Sequence, residues 1–91
     1  MDQLTDKELI KNFTLFHAYF CHLIEVNQAE SAEQLCDISF KLAQEINRRK
    51  ISELKIKECI KNTKLDPQDQ LMVYRYIYPD LNALNNKVGQ S

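Results

Sequence analysis

One glycine in 91 residues, at position 89, and two prolines, Pro67 and Pro79, leave this chain few places to turn sharply. A β-sheet is built on tight turns that call for such residues, whereas helices joined by short polar links are not. The chain is therefore expected to be all-α. Its 44% hydrophobic and 27% charged residues suit a packed core rather than disorder. A single domain of this length buries only about 60–65% of the surface its unfolded form exposes, so a partner or a second copy would add to a thin core.

The first helix is the best marked. Thr5, followed three residues on by Glu8, is a capping box, with Leu4 and Leu9 as the flanking hydrophobic staple. The helix is expected to run to about Val26. Leu9, Phe13, Phe16, Phe20 and Leu23 recur at intervals of 4, 3, 4 and 3 and share one face, which Ile10, His17 and Ile24 widen. Leu15, Tyr19 and Val26 form a further apolar stripe on another flank. Lys7, Lys11, Thr14, Ala18, His22 and Glu25 remain as a solvent side. The apolar arc covers roughly two-thirds of the wheel, where a surface helix needs about 100°. Such a helix is either central in a bundle or shared with a partner.

Two overlapping capping boxes, at Asn27–Glu30 and Ser31–Gln34, mark the start of a second helix expected to reach about Asn47. Leu35, Ile38, Leu42 and Ile46 form its stripe, with Ala32, Ser39 and Ala43 as small neighbours that permit close approach. Neither glycine nor proline lies between Asn47 and Leu65, so the helix can also be read straight through. That would place Arg49 and Glu53 on the apolar seam, and the cost of burying charge favours a break near 48–51. A third helix then runs from Glu53 to about Asn62 behind Ser52. Asp66, Pro67 and Asp69 mark the start of the last one. Its core face is expected to be Leu71, Tyr74, Ile77 and Tyr78, with Met72, Val73 and Tyr76 as spare apolar groups. Pro79 should end or kink it at Tyr78. Asp80 to Leu84 adds a short turn. Residues 1–84 are thus read as one bundle of three or four helices, with the spare stripes leaving room for a homodimer, and residues 85–91 as a frayed tail.

Ala32, Leu35, Ser39, Leu42 and Ala43 resemble the alternation of small and large residues in a tetratricopeptide-type hairpin. Residues 25–43 are also similar to small bacterial negative regulators that bind AraC-type activators. The likeness covers about a fifth of the chain and lacks the tryptophan and glycine that make either pattern specific, so it assigns no family.

Chemistry-bearing motifs are absent. No nucleophile elbow, zinc-protease, P-loop or dinucleotide signature occurs, and Cys21, Cys36 and Cys59 form no metal-binding pair. They are expected to be reduced, partly buried thiols. His17 and His22 are five apart on one helix and point about 140° apart, so they cannot share a metal. No serine or cysteine is expected beside a histidine. No run approaches the ~18 apolar residues of a membrane span. The opening MDQLTDKELI does not read as a secretion signal.

Charge is unevenly spread. Residues 1–46 carry three basic and eight acidic side chains, for −5, whereas residues 47–64 carry seven basic and two acidic, for +5. These patterns point to a small cytoplasmic regulatory or adaptor protein that binds another protein directly, a transcription regulator being one target class. No enzymatic activity, cofactor, metal, membrane or small-molecule substrate is expected. The candidate partner-binding residues are Leu15, Tyr19 and Val26 with Met72, Val73 and Tyr76, because tyrosine and methionine are enriched at interfaces. One rival is direct DNA or RNA binding through Arg48, Arg49, Lys50, Lys55 and Lys57. The other is an immunity, antitoxin or secretion-chaperone protein with a dedicated partner.

Overall fold

In the computed structural model, which describes residues 3–79 and 81, the chain forms four helices and, among those residues, no strand. They are α1 (Asp6–Glu25), α2 (Ala29–Arg48), α3 (Glu53–Asn62) and α4 (Pro67–Tyr76). The expected helical bundle is thus present, with four helices rather than three. The tail at 85–91 lies outside the described residues.

Each boundary has a local cause. At the start of α1 the Thr5 hydroxyl accepts the Glu8 N–H at 3.1 Å, and the Glu8 carboxylate accepts the Thr5 N–H at 3.3 Å. The expected capping box is therefore complete, and Leu4 packs against the core beside it. At the other end the Gln28 N–H reaches the Leu23 carbonyl at 2.9 Å and the Asn27 N–H reaches Ile24 at 3.2 Å. This is a Schellman closure with Asn27 in the left-handed position, at φ 61°. That role corrects the expected start of α2. Asn27 ends α1 and so cannot adopt the extended backbone of an N-cap, while Ser31 already lies inside the first turn. α2 begins behind Gln28, which makes no side-chain cap.

The break expected near 48–51 is present. Ile51 N–H bonds the Ile46 carbonyl at 3.2 Å and Lys50 N–H bonds Asn47 at 3.0 Å, a second Schellman closure. Lys50 fills its left-handed position at φ 55°, where glycine is the usual residue. Ile51 packs against the core just beyond, and the Ser52 hydroxyl caps α3 by accepting the Lys55 N–H at 3.2 Å. α4 starts with Pro67 in its first turn behind Asp66. It ends at Tyr76, two residues before the expected stop at Tyr78, and Ile77 caps it by donating to the Val73 carbonyl. The chain turns at Ile77 before helical backbone resumes at Tyr78 and Pro79, which has no N–H for the carbonyl of Arg75. A further bond from Leu81 N–H to the Ile77 carbonyl, at 3.0 Å, turns Leu81 into the core.

α1 is the hub. It packs against each of the other helices, and among the described residues those three make no close backbone contact with one another, although their side chains share one core. The core comprises Leu9, Ile10 and Ala18 of α1, Leu42 and Ile46 of α2, Ile56 and Ile60 of α3, and Val73, Ile77 and Leu81.

Hub geometry overturns two expected faces. Thr14 and Ala18, read as solvent-facing, are 1% and 0% exposed. They follow Ile10 one turn apart, and together with Ala32 and Ser39, the small buried residues of α2, they allow the two long helices to approach closely. The longer Phe13, Phe16, Phe20 and Leu23, read as the core face, are only half-buried beside that line. On α4 the expected face is only half right: Ile77 is buried as expected, but Val73 takes the place read for Leu71 and Tyr74. Val73 and Ile77 are buried, whereas Leu71 and Tyr74 are 71% and 61% exposed. Ile38 of α2, expected in the core stripe, is exposed as well.

Candidate functional site

The exchange on α4 decides where the predicted partner-binding residues lie. Val73 is buried in the core, and Leu15, Met72 and Tyr76 pack against that core while half-exposed. The Tyr19 hydroxyl, on α1, donates to the Asp69 carboxylate of α4. The Tyr76 hydroxyl, on α4, donates to the Glu25 carboxylate of α1 and stands 3.5 Å from Nδ1 of His22. The spare stripes of the first and last helices therefore cover one another. Val26, at the end of α1, stays exposed. Each carboxylate raises the pKa of its tyrosine, first through the hydrogen bond and then through desolvation, so both phenols stay protonated well into the alkaline range. The six residues are therefore not one surface: Val73 is core, Val26 is exposed, and Tyr19 and Tyr76 bridge α1 and α4.

The basic residues divide differently. Arg49, with a half-buried side chain, is a structural cation: its guanidinium donates to Glu45 at 2.7 Å, to Asp6 at 3.0 Å and to the Leu4 carbonyl at 2.9 Å. Arg48 pairs with the same Glu45 at 2.8 and 2.5 Å, and Lys55 reaches Asp6 at 3.2 Å. Hydrogen bonds from Arg48 and then Arg49 hold the Glu45 carboxyl at about 2, against a usual 4.5, and Arg49 and Lys55 lower Asp6 as well. This clasp ties the entry of α1 to the α2–α3 corner. The acidic half and the basic band of the sequence thus partly neutralise each other within one chain. Lys50 is exposed and Lys57 half-buried.

Among the described residues two apolar strips stand out on the surface. One lies on the outer side of α4, where Leu71 and Tyr74 project and Tyr74 stacks on Tyr78 with ring centroids 5.0 Å apart. The other is a groove of about 290 Å³ between α1 and α2, lined by Phe13, His17, Phe20, Cys36, Phe40 and Ala43. Its aromatic floor is ordered along α1, with Phe13 stacked on His17 at 5.6 Å and His17 tilted against Phe20 at 6.4 Å. Phe40, on the opposite wall, is 63% exposed, and Ile24 continues the α1 line at 53%. A phenylalanine this exposed has no role in the core and is the feature of the groove that calls for an occupant.

Sequence reasoning placed Phe13 and Phe20 in the core and assigned Phe40 no role. Phe40 could have been found, because it falls outside the Leu35–Leu42–Ile46 stripe of its own helix. The expectation that no cysteine adjoins a histidine is also corrected: His17 Nε2 lies 3.8 Å from Cys21 Sγ. Their separation of four residues places them one turn apart on the same face, which was legible. All three cysteines are thiols, with Cys36 exposed and the other two half-buried.

Among the described residues no group of three or more His, Cys, Asp or Glu side chains is placed to hold a metal ion, and no helix is long and apolar enough to cross a membrane. No protein-family model, curated protein or solved structure matches this chain.

Proposed function

We propose that this protein is a small regulatory or adaptor protein that acts by binding another protein directly, and that the α1–α2 groove is its contact surface. The observation that carries this reading is the exposed Phe40 set against the aromatic row of α1. A binding hot spot is typically an aromatic cluster in a shallow apolar depression, ringed by polar residues. The groove has that composition, and its two walls are long helices, the most rigid support the fold offers. The α1–α4 seam supports a partner-binding role less well, because its tyrosine hydroxyls are already satisfied within the chain. The basic band supports nucleic-acid binding less well for a parallel reason: Arg48, Arg49 and Lys55 face Glu45 and Asp6.

The test compares Phe40→Asp with the parent chain in affinity capture from the native cell, followed by titration of each retained protein in purified form. A partner whose affinity falls at least tenfold on Phe40→Asp, with helicity unchanged, is the expected result. Partners that bind both chains equally would move the contact surface elsewhere.

A further inference from the structure

We infer that the occupant of the α1–α2 groove is an amphipathic helix flanked by lysine or arginine; the inference rests on reading that groove as a docking surface. Three observations select it. The first is shape. Phe13, His17, Phe20 and Ile24 follow one another at intervals of 4, 3 and 4 along α1, a run of about 16 Å at 1.5 Å per residue. A straight apolar trough of some three turns fits a helix presenting side chains at i, i+3 or i+4, and i+7.

The second is extent. The apolar surface of the groove is far smaller than one side of a standard protein–protein interface. A standard stable interface between two folded proteins takes about 800 Å² from each. One helix laid in the groove can use all of it, whereas a globular face would have to extend well beyond it.

The third is charge. Glu30, Glu33 and Asp37 recur at intervals of 3 and 4 on the exposed side of α2. Glu33 precedes Cys36 by three residues and Asp37 precedes Phe40 by three, so the acidic row runs beside the apolar wall. Lys41 is the cation that follows, at the far end of this row. Flanking cations on the occupant would meet the acidic row and steer its approach. A second copy of this chain does not supply such a helix from its basic segment. α3 carries the lysines, but its Ile56 and Ile60 are buried in its own core and only Leu54 projects.

The probe is a displayed library of 18-residue peptides, selected against the full chain and counter-selected against Phe40→Asp. Enriched peptides are expected to repeat apolar residues at three- and four-residue intervals and to carry net positive charge. Their affinity should fall at least tenfold on Phe40→Asp, and again on Glu33→Lys with Asp37→Lys, and should weaken at high salt. Peptides that depend on Phe40 but are acidic, or indifferent to the double charge reversal, would leave the groove as a docking surface and overturn the basic helix. Enrichment with no dependence on Phe40 would overturn both. A dimer in sedimentation that Phe40→Asp disperses would make a second copy the occupant and overturn the inference. The double reversal lies on exposed positions, so the charge arm stands even if Phe40→Asp perturbs folding.

Discussion

Between α1 and α4, Leu15, Met72 and Tyr76 pack against the core that holds Val73, and the hydroxyls of Tyr19 and Tyr76 each donate to a carboxylate of the other helix. On the α2 side, Phe13, His17 and Phe20 face Phe40 across a groove that none of the described residues fills. Both flanks carry apolar groups beyond what an ordinary surface helix needs. They differ in how they are closed. Hydroxyl–carboxylate hydrogen bonds span α1 and α4, whereas on the two long helices the small Thr14, Ala18, Ala32 and Ser39 are buried and the larger rings stay half-buried or exposed. Apolar excess therefore shows that a helix has more than one neighbour. It does not show which neighbour is missing.

That contrast can be broken most forcefully at Val73. A carboxylate there would be buried without a partner, and Val73→Asp should cost upward of about 3 kcal/mol in urea unfolding, a large part of what a domain this small possesses. Phe40→Asp should change stability by no more than about 0.5 kcal/mol, as surface substitutions do. Equal losses would mean that Phe40 is structural and the two flanks are alike.

Acid is the next lever: it acts on the clasp, and also on the carboxylates that close the α1–α4 seam, so the clasp is read from the difference between the parent chain and a variant without it. The depressed Glu45 carboxyl contributes stability that is present above about 4.5 and is lost as pH falls toward about 2. Thermal melts should drop through that window in the parent chain, and less so in Arg48→Ala with Arg49→Ala. A parent melt that is flat from pH 5 to 2 would remove the clasp from the account.

Smaller effects sharpen the picture. Thr14 is buried with its hydroxyl oxygen unpartnered among the described residues. Thr14→Val should therefore stabilise by about 1 kcal/mol, measured as a higher urea midpoint at unchanged slope. Tyr19→Phe removes the hydroxyl that Asp69 accepts and should cost about 1 kcal/mol in the same measurement, leaving peptide binding in the groove untouched. Lys50→Gly should raise stability by about 0.5 kcal/mol, since the left-handed backbone costs glycine nothing, and should alter neither flank.

Much of the fold was legible because it is local. The Thr5–Glu8 box, the Ser52 cap, the Pro67 start and the break after Arg48 each depend on a few neighbouring residues. The faces were less legible because they depend on which helix lies opposite. A helical wheel ranks Leu71 and Tyr74 above Val73 by size, yet the smaller β-branched residue is the one α1 admits. Periodicity likewise sent Phe13 and Phe20 inward, where the space had been taken by Thr14 and Ala18. The charge asymmetry between the two halves of the sequence was visible, but Asp6 and Arg49 lie 43 residues apart, and nothing local says that they meet.

The hub arrangement of α1 has a consequence for how change is tolerated. Since the described residues of α2 and α4 make no close backbone contact, a substitution on one arm reaches the other chiefly through α1 and the shared core. Energetic effects of paired substitutions, one on each arm, are then expected to add. The arms can diverge in sequence almost independently. α1 is more constrained, because it packs against all three of the other helices.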